Sequence, residues 1–133
     1  MITHLSVGSL GEACAASYLR DISYSIIETN VRTSFGELDI VTRDPDGTLV
    51  LVEVKTLSSP ASLTPEDNLT RSKFFKLSRM ATYYANKHPN LVPPSKGWRI
   101  DLISIILLSS PSPSSYKFGK NYFDVVHYSN IFL

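Results

Sequence analysis

The stretch from Gly36 to Thr56, GELDIVTR then DPDG then TLVLVEVKT, limits what this chain can fold into more than any other. Asp44-Pro45-Asp46-Gly47 has Asp first, Pro second and Gly fourth, the preferences of a type I turn. Such a turn, closed by a left-handed glycine, makes a three-residue hairpin loop with a bulge. Residues 44 and 48 then pair, and paired positions sum to 92, which sets Asp39 opposite Glu53 and Glu37 opposite Lys55. A four-residue loop would pair 43 with 48 and turn Asp39 toward Val52. The first register is preferred because it gathers the charges on one face.

Side chains alternate along a strand, so Leu49, Leu51, Glu53 and Lys55 share one face and Val50, Val52 and Val54 the other. A strand apolar on both faces is a central one, covered from both sides. Glu and Lys are rarely buried there unless paired, and two carboxylates directly opposite each other repel. A divalent cation between Asp39 and Glu53 relieves that repulsion. The plain alternative is a Glu-x-Lys surface ion pair on an edge strand, worth under ~1 kcal/mol. The opposed Asp39, the two-sided apolar run and a third acid at Glu37 favour the metal site.

At 133 residues the chain is expected to form one domain spanning 1–133. Its net charge of +1 hides a segregation. Residues 1–70 carry four basic and ten acidic side chains, whereas residues 71–100 carry seven basic and no acidic ones. That pattern sets a basic surface beside an acidic pocket, the footprint of a nucleic-acid partner; a solvated helix face is the bland alternative. The lone Cys14 cannot form an intramolecular disulfide, and MITHLSVGSLGE lacks the basic start and apolar core of a signal peptide. The longest apolar run, Leu102 to Leu108, contains Ser104 and falls far short of the ~20 residues that span a bilayer. The expectation is a cytoplasmic protein with no membrane partner.

Leu10, Cys14, Tyr18 and Ile22 recur at helical spacing and predict a helix from Ser9 to about Ile22. Glu12 falls at the margin of that stripe, where it either leans toward the hairpin or simply favours the helix start. Tyr24 to Arg32 predicts the first strand, and the two hairpin arms the second and third. A loop from Leu57 to Leu69 precedes a second helix, Thr70 to about Lys87, with Phe74, Leu77, Ala81 and Tyr84 as its stripe. Lys73, Lys76 and Lys87 flank the stripe, covering apolar surface or meeting phosphates. Trp98 to Leu107 predicts a fourth strand, with Asp101 and Ile103 on the face opposite Ile100 and Leu102. A polar loop follows (SSPSPSS, 109–115), then a short last strand, Tyr122 to His127, expected at an edge. His4, His88 and His127 show no ligand spacing and are assigned to surface or packing. The predicted class is α/β: a mixed central sheet in αβββαβ order with flanking helices, the third and fourth strands parallel because a helix crosses between them.

These residues resemble a known family. The helix, meander, crossover and Asp…Glu-x-Lys arrangement is similar to the PD-(D/E)xK restriction-endonuclease-like fold. Within it the chain resembles, nearly end to end, the small bacterial YraN family, related to archaeal Holliday-junction resolvases. The matching residues are Gly8, Gly11-Glu12, Ala13, Ala16, Tyr18-Leu19, Tyr24, Asn30, Arg32, Gly36-Glu37-x-Asp39, Val52-Glu53-Val54-Lys55-Thr56, Pro65-Glu66, Thr70, Lys73, Arg99-x-Asp101, Asn130 and Phe132. Leu57, Ser72 and Ser23 depart from the family pattern and thin the positive charge beside the site.

The resemblance implies a Mg²⁺-dependent endonuclease, with Mn²⁺ as a substitute, hydrolysing phosphodiester bonds in DNA of branched or structured form. Asp39 and Glu53 are then the direct metal ligands, and Glu12 a further ligand through water or for a second ion. Lys55 is the catalytic lysine and Glu37 the carboxylate that orients it. Lys73, Lys76 and Arg99 are the candidate nucleic-acid contacts, and Asp101 either holds Arg99 or the second helix, or joins the chemistry. Because the resolvases pair to cut both strands, a homodimer is a candidate assembly. The alternative function is a non-catalytic nucleic-acid-binding protein that keeps the nuclease fold.

Overall fold

The computed structural model describes residues 6–57 and 70–131. Helix α1 (Val7–Asp21) leads into strands β1 (Ser25–Thr33), β2 (Gly36–Arg43) and β3 (Leu49–Leu57). Helix α2 (Arg71–Lys87) and a short 3₁₀ turn (Pro89–Leu91) then lead to β4 (Trp98–Leu108), β5 (Tyr116–Phe118) and β6 (Asn121–Tyr128). His4 and the part of the predicted loop at residues 58–69 lie outside the described residues. Both helices start on a side-chain cap: Ser6 Oγ accepts from the Ser9 N–H, and Thr70 Oγ1 from the Lys73 N–H.

The six strands form one mixed sheet in the order β1-β2-β3-β4-β6-β5. The meander β1-β2-β3 is antiparallel and β3 runs parallel to β4, as the helix between them predicts. Strand β3 is central. The hairpin loop forms as its residues dictate: the Gly47 N–H donates to Asp44 O and the Asp44 N–H to Thr48 O, with Gly47 at φ 97°. The resulting register pairs Arg43 with Leu49 and Ile40 with Val52, the predicted sum of 92.

The predicted edge position of the last strand is corrected. β6 lies between β4 and the three-residue β5, which occupies the edge. Tyr116–Phe118 is too short to carry a readable alternation, so nothing local marks it as a strand.

One face of the sheet packs Val50, Val52, Val54, Ile103 and Ile105 against Cys14, Ala15 and Leu19 of α1. The other packs Leu49, Leu51, Val41 and Ile100 against Leu77, Met80, Ala81 and Tyr84 of α2. Among the described residues no helix is long and apolar enough to cross a membrane. Helix α1 lies so close to β3 that a Cβ at Gly11 would stand 1.9 Å from Thr56 Oγ1 and 2.6 Å from its Cγ2. Gly11→Ala is therefore expected to lower stability by about 1–3 kcal/mol. Thr56→Ala should recover part of that loss, removing two of the three clashing atoms; urea unfolding of the single and double variants measures both effects.

Candidate metal centre

The site forms where the ladder between β2 and β3 stops. Pairing runs through Ile40–Val52 and no further, so Asp39 and Glu53 are the first residues beyond it. In place of a backbone partner, the Val54 N–H donates to Asp39 Oδ2 at 2.8 Å. Strand β2 also twists here. Leu38 and Ile40 would share a face in a regular strand, yet Leu38 packs in the α2 cluster and Ile40 in the α1 cluster. Between the pairs Thr29–Ile40 and Val31–Leu38, Asn30 on β1 takes a positive φ of 53°. Asparagine tolerates this left-handed backbone better than a bulky residue does.

The distortion leaves the Asp39 carboxylate in the gap between strands. Glu53 lies close enough to Asp39 to act on its carboxyl, and its Oε2 lies 3.4 Å from Lys55 Nζ. Alternation puts Glu53 and Lys55 in the row of Leu49 and Leu51, on the α2 side of the sheet. Glu12 approaches from the α1 side, lining with Glu37, Asp39 and Asn30 a cleft of about 540 Å³. Burial first, and then the neighbouring Glu53 carboxyl, push the Asp39 carboxyl up to about 8. The Val54 N–H and the Lys55 ammonium pull the other way without cancelling this. The Glu12 carboxyl is also raised, first by burial and then by the charges of Asp39 and Glu37.

Asp39 and Glu53 are thus brought together with Lys55 beside them. Among the described residues no three Asp, Glu, His or Cys side chains are close enough to hold a metal jointly, so Glu12 stands in the outer ring. A hard, partly hydrated cation such as Mg²⁺ needs no more than one or two carboxylates, which fits this donor set. Glu37 is not placed across from Lys55 by a ladder; it is exposed, pairs with Arg32 on β1, and has Arg32 Nε 3.9 Å from its Oε2. The reason is the opening of the hairpin at Asp39, which ends the register that would set the two opposite each other.

Lys73 and Lys76 are exposed on the first turns of α2. Arg99 is engaged elsewhere. Its Nε donates to Asp101 Oδ1 at 3.0 Å, its Nη1 to Asp44 Oδ2 at 2.6 Å and its Nη2 to the Tyr24 hydroxyl at 3.0 Å. Asp101 is fully buried and also accepts from the Asn130 N–H, with His127 Nε2 2.8 Å from Oδ2. Since a carboxylate only accepts, His127 donates there, and its Nδ1 hydrogen-bonds the Tyr18 hydroxyl at 3.1 Å. Burial works to raise the Asp101 carboxyl, but the bonds from His127, Arg99 and Asn130 outweigh it and hold it below the ordinary range. Of Asp101's candidate roles, holding Arg99 is the one this geometry contains. His127 and Asp44 were invisible to sequence reasoning as its partners, because no spacing links residues 44, 99 and 127.

A profile of "Uncharacterised protein family UPF0102" matches residues 11–105. A UPF0102 protein of Persephonella marina is 38% identical over 74% of this chain and 82% of its own length. One of Syntrophomonas wolfei is 38% identical over 76% of this chain and 84% of its own. One of Clostridium botulinum is 34% identical over 90% of this chain and 94% of its own. These names assign no activity. The matched span takes in Glu12, the carboxylate hairpin and the Arg99–Asp101 segment alike, and the chain belongs to the UPF0102 family, in which the YraN proteins fall.

Proposed function

We propose that the protein is a metal-dependent endonuclease that hydrolyses phosphodiester bonds in DNA, with Mg²⁺ or Mn²⁺ as the cation. The observation that carries this reading is the meeting of Asp39, Glu53 and Lys55 at the point where β2 and β3 part. The order of helix, three strands, helix and parallel strand supports the likeness to the PD-(D/E)xK fold.

Asp39 and Glu53 would hold the ion, and when bound it supplies Lewis-acid stabilisation of charge at phosphorus and a more acidic water. The Val54 N–H fixes the Asp39 carboxylate in place, so this ligand is oriented before any cation arrives. Lys55 contributes a compact ammonium beside Glu53, suited to the negative charge that builds on phosphoryl oxygens. Lys73 and Lys76 extend positive charge away from the centre along the strand-facing helix, where a phosphate backbone would run.

The test is a cleavage panel over duplex, flap, four-way-junction and single-stranded DNA with Mn²⁺. Cation-dependent cleavage is expected, reduced ~100-fold or more in Lys55→Ala and Glu53→Gln while their circular dichroism stays native. Equal rates in wild type and Lys55→Ala would remove the catalytic reading. A non-catalytic nucleic-acid-binding role is the second reading, favoured by a basic face on α2 that does not depend on the carboxylates. It predicts salt-sensitive binding with no cleavage of any substrate in the panel.

A further inference from the structure

We infer that the groove between α2 and the β1–β2 turn is a stacking platform for unpaired bases, so that the preferred substrate carries a single-stranded stretch. This rests on the nucleic-acid reading above and names the class of substrate that the reading leaves open.

Two adjoining hollows of about 740 and 550 Å³ share Phe35, Phe75 and Arg79 in their walls. Phe75 is 58% exposed, an unusual setting for a large aromatic on a helix that buries its other face. The β1–β2 turn fixes Phe35 in position: the Phe35 N–H donates to Thr33 Oγ1, and Thr33 Oγ1 donates to Gly36 O. Phe35 stands edge-on to Tyr83, with ring centroids 5.6 Å apart, and the Arg79 guanidinium lies 4.6 Å from the Phe35 ring. Lys87 Nζ lies 5.4 Å from the Tyr83 ring. Phe35, Phe75 and Tyr83, with the Arg79 guanidinium among them, thus line one groove and offer flat faces that any base can stack on.

Charge selects the occupant. Helix α2 carries Arg71, Lys73, Lys76, Arg79 and Lys87 and no acidic residue. A second copy of this chain docked by the same face would set one such row against another, and like charges facing across an interface oppose pairing. A strand of nucleic acid brings a phosphate for each base and satisfies both features of the groove.

Position ties the groove to the carboxylates. Gly36, one residue before Glu37, packs so closely on α2 that an added Cβ would lie 3.0 Å from Met80 Sδ and 3.2 Å from Lys76 Cε. Glu53 and Lys55 lie on this same side of the sheet. The groove and the carboxylate hairpin thus meet at the β1–β2 turn, where Phe35 lines the groove and Glu37 lines the cleft.

Fluorescence anisotropy in EDTA tests this, using a labelled single strand of about 20 nucleotides and the duplex of the same sequence. Without a cation no cleavage occurs, so the outcome is independent of the catalytic claim. Wild type is expected to bind the single strand, and Phe75→Ala to weaken that binding about 5- to 100-fold while leaving duplex binding within about twofold. Phe75→Trp should retain single-strand binding. Val126→Ala, which removes exposed apolar area on β6, should leave it unchanged. The platform is overturned if Phe75→Ala keeps full single-strand affinity, or weakens single strand and duplex equally. It is also overturned if sedimentation shows a wild-type dimer that Phe75→Ala dissolves, which would make the face a self-contact. Wild type binding duplex but not single strand removes the platform alone; binding neither removes the nucleic-acid reading beneath it as well.

Discussion

Asp101→Asn is expected to lower the stability of the protein by about 3 kcal/mol, the effect of leaving one partner of a buried ion pair uncompensated. Both oxygens of this fully buried carboxylate are occupied: Oδ1 by Arg99 Nε and the Asn130 N–H, Oδ2 by Arg99 Nη2 and His127 Nε2. An amide keeps one acceptor and turns an NH₂ toward a donor. Asp44, 2.6 Å from Arg99 Nη1, retains part of the pairing and keeps the loss near the lower end of the range. Because the folded carboxyl is held below its ordinary range, the unfolded state takes up the proton first as pH falls. The advantage of wild type over Asp101→Asn is therefore full above about pH 4 and shrinks as pH drops through the lower folded-state value. Urea unfolding of both proteins over this range measures it. A constant difference down to strongly acidic pH would show that the carboxylate's charge is not what matters.

Asp39, half-buried in the carboxylate hairpin, should behave in the opposite sense. In the metal-free protein, Asp39→Asn is expected to raise stability at pH 8 to 9 by on the order of 3 kcal/mol, less than the full shift would give because the carboxylate is partly open to solvent. Here the folded state holds its proton more tightly than the unfolded state, with a folded value of about 8 against an ordinary value near 3.8. Across that window the folded state binds more protons, so wild-type stability falls as pH rises. The substituted amide would still accept from the Val54 N–H and would donate to Glu53, removing the cost of ionising a second acid in the gap. The same substitution should abolish tight Mn²⁺ binding by calorimetry. An Asp39→Asn protein no more stable than wild type at pH 8 to 9 would mean that the two carboxylates do not strain each other.

The two aspartates also separate what was legible from what was not. Asp39 could be found because a turn of four residues, Asp44-Pro45-Asp46-Gly47, sets a register that local geometry enforces. The helices were legible from apolar recurrence at three and four residues, and the central strand from its two apolar faces. Glu37 shows the limit. Counting from the turn sets it opposite Lys55, but the backbone opens at Asp39, a distortion shared with Asn30 on another strand.

The sequence by itself determined the α/β class, the hairpin register and the nearness of Asp39, Glu53 and Lys55, because turns and periodicity act over a few residues. Tertiary structure alone decided that Arg99, besides holding Asp101, reaches Asp44, that His127 closes the network from β6, and that Phe35 meets α2 to form a groove; all three of those contacts are long-range. Those contacts join residues dozens of positions apart. They exist only because packing two helices on a six-stranded sheet brings them into reach, and no local pattern records that distance.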